Sequence, residues 1–280
     1  MKMKRIIAFC AAALMTASVT AQELPKPSPH AKVEQMVGLT TITIDYSRPA
    51  VKERTIWGDL VPYGEVWRVG ANACTKVTTT HDLTFGKQVL KAGTYALFIT
   101  PSADSEWSVV LNTDTEQWGA GNYDETKNVI TVKTHPIENS YNESMLIEVN
   151  NITNSSAVIA VKWEKIRIEI PFTVNTNDIA QKNIQDAIKK GEDLDQVYYT
   201  AAAYHYNNLK DEKTALDYLT KSNGVKKNHR AYYLQAVIAH DKGDTKKAVE
   251  LAEEAVKLAE AAESKGWADY LKGKVEEWKK

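Results

Sequence analysis

The hydrophobic residues of this 280-residue chain change their spacing at about residue 175. Before that point they alternate with polar residues, as in Ile42, Ile44 and Tyr46, and this period of two indicates half-buried strands. After it they recur with the period of a helix, as in Ala180 and Ile184, which indicates amphipathic helices. The chain is therefore predicted to form a β domain followed by a helical domain.

The β domain is predicted to span residues 22–175 and to fold as an antiparallel β-sandwich or a jelly-roll-like barrel. Runs with a period of two recur along it, and the last two cover residues 159–163 and 166–174. Turn residues such as Pro62, Gly64 and Gly86 separate the runs. A parallel sheet would require crossover helices between the strands, and no helical pattern lies between these runs.

The helical domain is predicted to span residues 176–280 and to contain five or six short helices. Gly191 is placed as the C-terminal cap of the first helix. Asp193 with Gln196 three residues later resembles a capping box for the next. Gly243 and Asp244 are expected to end one helix and begin another.

A 33-residue spacing relates two parts of the helical domain and resembles the tetratricopeptide repeat. The matching residues are Tyr199, Ala203, Ala215 and Leu219, and then Tyr232, Ala236, Ala248 and Ala252. Tyrosines of such repeats either line a groove for a protein partner or pack between repeats. Under the first interpretation, Tyr199, Tyr206 and Tyr233 are candidates for binding the partner.

Residues 1–21 have the three parts of a secretory signal peptide: a basic start, an apolar run and a small-residue cleavage site before Gln22. The protein is therefore expected to be exported to the periplasm or the cell exterior. The apolar run is about half the roughly 20 residues of a membrane-spanning helix, so no integral membrane segment is expected after cleavage. Cys10 lies in this run, which leaves Cys74 alone and allows no intramolecular disulfide.

Charge and motifs exclude several classes of function. The whole chain has 35 Lys and Arg against 36 Asp and Glu, and no basic stripe suggests nucleic acid. The six histidines are scattered, so neither a metal site nor a cofactor is predicted. The sequence also lacks a Gly-x-Ser-x-Gly turn and a glycine-rich phosphate loop.

Residues 47–75, the signature segment, read SRPAVKERTIWGDLVPYGEVWRVGANACT. A connection this long is usually functional or disordered, and its aromatic residues argue against disorder. Tryptophan offers a flat face to sugars or peptide side chains, and arginine binds carboxylates. The ligand-binding candidates are Arg48, Trp57, Arg68, Asn72 and, outside the segment, Trp118. Alternatively Trp57, Val66 and Val69 plug the end of the sandwich.

The motifs of this segment resemble a secreted family of Bacteroidetes-type bacteria, domain of unknown function 2911. The matching pieces are SRP at 47–49, RTIWG at 54–58, LVPYG at 60–64, VWR at 66–68, GAN at 70–72, LKAGTYALF at 90–98, WSVVLN at 107–112 and QWGA at 117–120. The resemblance covers about residues 35–175. It implies a secreted β-rich domain and supplies no activity, substrate or cofactor. Members often carry Glu where this chain has Ala73, which weakens any catalytic role carried over from them.

The sequence favours a non-catalytic exported binding protein over an enzyme. In this hypothesis the β domain holds a glycan or peptide, and the helical repeats dock a protein partner. One alternative is a hydrolase of envelope or dietary polymers that uses Asp59, Glu65, Asp82 or Asp124. Another is a structural scaffold of an envelope assembly.

Overall fold

The computed structural model describes residues 24–104 and 106–280. The predicted signal peptide, residues 1–21, lies outside the described residues. Apart from the segment Gly38–Thr40, the first of two compact units ends at Thr173 and the second begins at Val174. Strands make up the first unit and helices the second.

The strands of the first unit form two antiparallel sheets. They are β1 (His30–Val37), β2 (Thr40–Ser47), β3 (Thr75–Thr79), β4 (Leu83–Phe85), β5 (Gln88–Leu90), β6 (Gly93–Thr100), β7 (Trp107–Asn112), β8 (Asn128–Thr134), β9 (Ile137–Asn150) and β10 (Ser156–Val174). The six-stranded sheet has the order β1-β2-β3-β6-β7-β8, and the four-stranded sheet has the order β5-β4-β10-β9. The predicted fold class, a β domain followed by helices, is confirmed.

The alternation read from the sequence places every second side chain of a strand in the core. In β2, Ile42, Ile44 and Tyr46 are buried, and the residues between them are partly exposed. The Tyr46 hydroxyl donates to the carbonyl oxygen of Ile147 at 3.3 Å and accepts from the Ile147 N–H at 3.0 Å. This pair of bonds satisfies a buried phenol and ties β2 to β9 in the other sheet.

The two sheets are also joined along their edges. On one side the Gln88 amide of β5 donates to the Thr131 carbonyl at 2.6 Å and accepts from the Thr131 N–H at 3.2 Å. On the other side the chain after β2 continues along β9, where the Val51 N–H donates to the Glu143 carbonyl at 2.8 Å. These bonds occupy backbone groups that a free edge would offer to another chain.

β10 is one strand in the structure, whereas the sequence suggested two runs. Its 19 residues would span about 60 Å if fully extended. However, residues 156–158 and 171–173, at its two ends, line one groove. The strand therefore bends near Glu164, which has a φ of 54° and lies between two shifts in the register with β9.

Four tryptophans from separate parts of the first unit meet in one cluster. The ring centroid of Trp57 lies 4.8 Å from that of Trp107, 5.6 Å from that of Trp67 and 6.1 Å from that of Trp163. Trp67 also stacks on Trp163 at 5.8 Å with an interplanar angle of 18°. Because Trp107 belongs to β7 and Trp163 to β10, the cluster joins both sheets to the signature segment.

The second unit contains six α-helices among the described residues. They are α1 (Thr176–Lys190), α2 (Leu194–Tyr204), α3 (Glu212–Val225), α4 (His229–Asp241), α5 (Thr245–Ala261) and α6 (Lys265–Trp278), with a π-helical turn (His205–Leu209) after α2. None of the described helices combines the length and hydropathy needed to span a membrane.

Two of the predicted helix ends are confirmed and one is wrong. Gly191 ends α1 in the left-handed conformation at φ 77°, and the Asp244 carboxylate accepts from the Lys247 N–H at the start of α5. Asp193 precedes α2 without a side-chain cap, so the predicted capping box does not form. Its φ of 44° is left-handed, whereas a capping residue normally takes the extended conformation that directs its oxygen to the helix N–H groups.

Small buried residues let consecutive helices approach closely. Ala215 and Ala248, which are 33 residues apart, are both 0 % exposed, and so are Leu219 and Ala252. Ala236 is also fully buried, whereas its counterpart Ala203 is partly buried. The sequence spacing therefore corresponds to matching buried positions in two successive helix pairs.

We expect Trp163→Ala to lower the melting temperature of the β unit by roughly 10 °C in calorimetry of the whole chain. Trp163 is 2 % exposed, and removing a buried tryptophan costs about 3–5 kcal/mol. Trp118→Ala is the matched control, because Trp118 is 77 % exposed and its loss should shift the melting temperature by less than about 2 °C. Equal shifts for the two variants would contradict this account.

Candidate functional site

The signature segment is held to both sheets by backbone hydrogen bonds. Trp67 and Ile99 exchange two bonds, with N···O distances of 2.8 and 2.9 Å, and the Gly64 N–H donates to the Pro101 carbonyl at 2.8 Å. Near its start, the Met145 N–H of β9 donates to the Pro49 carbonyl at 2.9 Å. The segment is therefore ordered, as its composition suggested.

The inner side of the signature segment packs into the core. Ile56, Val61 and Val69 are each at most 3 % exposed, and Trp67 is 7 % exposed. Trp57, a ligand-binding candidate, is partly buried and belongs to the tryptophan cluster. The sequence analysis offered a structural plug at the end of the sandwich as one alternative. This side of the segment is packed as such a plug would be.

Arg48 and Asn72, two further ligand-binding candidates, bond to the chain around them. The Arg48 guanidinium donates to the Met145 carbonyl at 2.8 Å. The Asn72 amide donates to the Ser28 carbonyl at 3.3 Å and to the Ser47 hydroxyl at 3.2 Å. Both side chains thus help to position the segment.

Arg68 and Trp118, the remaining two candidates, each lie beside the stretch of residues 73–75. The Arg68 carbonyl accepts from the Thr75 N–H at 3.3 Å. The Cys74 N–H donates to the Gln117 carbonyl at 3.0 Å, and Ala73 forms a β-bridge with Trp118. Asn72 precedes Ala73 in the chain, but its side chain is already bonded to Ser28 and Ser47.

The environments of these two side chains suit recognition. Burial lowers the pKa of Arg68 from its ordinary value. Its Nε is buried without a partner, and its side chain makes no ion pair with another described residue. Trp118 is 77 % exposed, and an exposed indole on a bonded loop is available to stack on a ligand.

Asn112, which the sequence analysis did not single out, builds the loop that carries Trp118. It is 0 % exposed, and its amide donates to the Asp124 carbonyl at 2.9 Å and to the Asn128 side chain at 2.8 Å. Its side-chain oxygen accepts from the Asp114 N–H at 2.8 Å. The available signal was an Asn at the end of an otherwise apolar strand run, a position suited to organising a turn.

The acids of the hydrolase alternative have other partners or face solvent. Asp82 pairs with Lys91 at 2.8 Å, and this bond lowers the pKa of Asp82. Hydrogen bonds from Thr126 lower the pKa of Asp124. Asp59 and Glu65 are exposed. No group of His, Cys, Asp and Glu that could hold a metal ion occurs among the described residues.

Comparison with protein families finds a match over residues 28–172 to the family described as Protein of unknown function (DUF2911). This match covers more than half of the chain. The chain belongs to this family. The search of curated proteins and the search of solved structures both gave no match.

The DUF2911 match includes all five ligand-binding candidates and ends before α1. Ala73, where the sequence resemblance places Glu in other members, is exposed and bridges to Trp118. The helical unit lies beyond the matched residues.

The signature segment of this DUF2911 chain stores backbone strain. Lys52, Glu53, Val69 and Asn72 have φ between 50° and 61°, a region that costs a non-glycine residue about 1–3 kcal/mol. Val69 is the most unusual of them, because β-branched residues are rarely left-handed. Such strain persists only where the surrounding structure holds the chain in place, and it is frequent at functional sites.

The three partner-binding candidates of the helical unit are partly buried. Tyr199 and Tyr206 pack against the core formed by α2, α3 and α4. The Tyr206 hydroxyl also donates to Asp241. Burial and then this bond raise the pKa of Tyr206 to about 12. These two tyrosines contribute mainly to packing.

Tyr233 belongs to an aromatic group that includes residues of α6. Its ring stacks on Trp278 at 6.2 Å, and its hydroxyl lies 2.8 Å from that of Tyr270. Trp267 and Tyr270 line an open pocket of about 390 Å³, and Tyr270 is 48 % exposed. The sequence analysis missed Trp267 and Tyr270, because only the fold places α6 beside α4.

We expect Gly70→Ala to destabilise the protein by about 2 kcal/mol more than Gly64→Ala in urea unfolding. Both glycines have a positive φ, 135° and 81°, so both substitutions introduce strain. A Cβ at Gly70 would also lie 2.8 Å from the Ser47 carbonyl oxygen, whereas a Cβ at Gly64 meets nothing within 4 Å. Equal losses of stability would show that the close approach at Gly70 is unimportant.

We expect the protein to lose stability as the pH is lowered, because His229 at the start of α4 then takes up a proton. Its ring lies 5.4 Å from Trp267. Burial and then Arg230 lower the pKa of His229 below its ordinary value of about 6.5. The folded state favours the neutral ring. The contribution of His229 to the free energy of unfolding is therefore complete above about pH 6.5 and is lost as the pH falls through the lowered pKa.

The measurement is the melting temperature at about pH 7.5 and about pH 5, for the native chain and for His229→Phe. The variant cannot titrate at this position, so its melting temperature should fall less between the two pH values. The opposite order, or equal decreases, would rule out His229 as the titrating group.

Proposed function

We propose that this chain is an exported, non-catalytic binding protein of the cell envelope, periplasmic or extracellular, whose β unit holds a glycan or a peptide. The observation that carries the proposal is the presence, beside residues 73–75, of an exposed indole, Trp118, and of a partly buried guanidinium, Arg68, whose Nε has no partner among the described residues. Residues 1–21, with their basic start and apolar run, support export.

The two side chains define the chemistry of the ligand. An indole face stacks on the ring of a sugar or on an apolar peptide side chain, and a guanidinium binds a carboxylate through two parallel hydrogen bonds. Burial of the Arg68 Nε without a hydrogen-bond acceptor is unfavourable, so an anionic group that pairs with Arg68 would offset that cost. An acidic sugar or an acidic peptide combines both features.

The state of the acids supports binding without catalysis. A general acid at neutral pH needs a raised pKa. The pKa values of Asp82 and Asp124 are lowered instead, through their bonds to Lys91 and Thr126. The hydrolase alternative therefore has less support than the binding protein.

We also propose that the helical unit is a short array of tetratricopeptide-like repeats that docks a protein partner through Tyr233 and Tyr270. The 33-residue spacing and the matching burial of Ala215 and Ala248 support the repeats. The exposed residues of α6 are mostly polar, among them Lys265, Asp269, Lys272 and Glu276, as in the terminal helix of such an array. The exposed Tyr270 ring and the partly buried Trp267 ring beside Tyr233 offer a docking surface.

Both proposals can be tested on an array of glycans and peptides. The array is probed with the protein from Gln22 onward, without residues 1–21. We expect binding to acidic glycans or acidic peptides to fall about tenfold or more in Trp118→Ala and in Arg68→Gln, because each removes one contact worth at least about 1.4 kcal/mol. Peptides that bind the helical unit should instead lose affinity in Tyr270→Ala.

Tyr63→Ala is the matched control, because Tyr63 is also an exposed aromatic residue of the DUF2911 unit, 44 % exposed, and its ring lies against Gly58 of the signature segment. Its binding should stay within about twofold of the native protein. Silence across both arrays, or equal effects of Trp118→Ala and Tyr63→Ala, would refute the role of the β unit. Unchanged peptide binding in Tyr270→Ala would refute the role of the helical face.

A further inference from the structure

A cavity of about 170 Å³ lies in the helical unit where α3, α4 and α5 meet. Leu216, Ile238 and Leu251 form its apolar wall. Leu216 packs against the core of α2, α3 and α4, and Leu251 packs against the core that α4 and α5 share with α6. The cavity is therefore a gap in the packing between these two hydrophobic cores.

The rim of this cavity carries Lys242, Asp244 and Lys247, and two of these three charges already have partners. Lys242 pairs with Glu212. The Asp244 carboxylate accepts from the backbone N–H of Lys247 at 3.1 Å and so caps α5. The Lys247 ammonium has no ion pair with another residue in the described part of the chain. It also lies in the first turn of α5, where the helix dipole favours anions.

We propose that this cavity binds a small carboxylate with an apolar group of about six carbons, the carboxylate pairing with Lys247. The volume supports this size, because an apolar protein cavity of about 150 Å³ accepts benzene. The leucine and isoleucine side chains surround the apolar group, and the free ammonium compensates the charge at the rim. The site involves neither Arg68 nor Trp118, so it stands independently of the ligand proposed for the β unit.

Isothermal titration calorimetry of the whole chain with phenylacetate and with hexanoate tests the proposal. We expect at least one of them to bind with a Kd of about 1 mM or tighter, which is realistic for ligands of this size. Benzyl alcohol, which has a ring and no charge, should bind about tenfold more weakly or not at all.

Two lysines next to each other provide the matched pair of variants. Lys247→Gln should weaken binding of the carboxylate about tenfold, because it removes the charge at the rim. Lys246 is exposed and does not line the cavity, so Lys246→Gln should change the Kd less than twofold. Leu216→Trp, at a partly exposed position of the wall, should fill the cavity and abolish binding, with the helical circular dichroism signal retained.

Three results would overturn the proposal: no heat of binding for either carboxylate at about 10 mM, equal losses in Lys246→Gln and Lys247→Gln, or unchanged binding in a folded Leu216→Trp. Binding of benzyl alcohol as tight as that of phenylacetate would also overturn it, because the carboxylate would then make no contribution.

Discussion

The cluster of four tryptophans is the contact on which the rest of the β unit depends. Trp107 and Trp163 belong to strands of different sheets, and Trp57 and Trp67 belong to the signature segment. Burying four large rings together contributes the apolar area that a long irregular connection needs to offset its loss of conformational entropy. The segment is therefore fixed from inside by packing and at its edges by backbone bonds to Ile99 and Met145.

A connection fixed so firmly can carry features that a loose loop cannot keep. Val69 stays in a left-handed conformation, and Arg68 next to it stays partly buried without an ion pair to any other described residue. Both features cost free energy and persist only because their surroundings are rigid. On the outer side the same frame holds Trp118 in solvent through bonds to residues 73 and 74. The inner side is buried and serves as the plug, whereas the outer side is exposed and carries the candidate binding surface.

Sequence reasoning worked best where local physics decides the outcome. It predicted the strands from their alternation, and it predicted Gly191 and Asp244 as helix ends, because caps depend on a few neighbouring residues. It failed at Asp193, where the backbone takes a left-handed conformation that spacing cannot reveal. It also missed Asn112 and Tyr270, since their importance comes from residues far away in the chain.

The sequence by itself determined the order of the two units, the faces of their strands and helices, and membership of the DUF2911 family, because periodicity and motifs are local properties of a chain. Only the tertiary structure decided where each candidate lies. It placed Trp57 in the tryptophan cluster, and Arg68 and Trp118 beside residues 73–75. It also left a cavity beside Lys247. These outcomes depend on contacts between distant residues, and the packing of the whole unit sets those contacts.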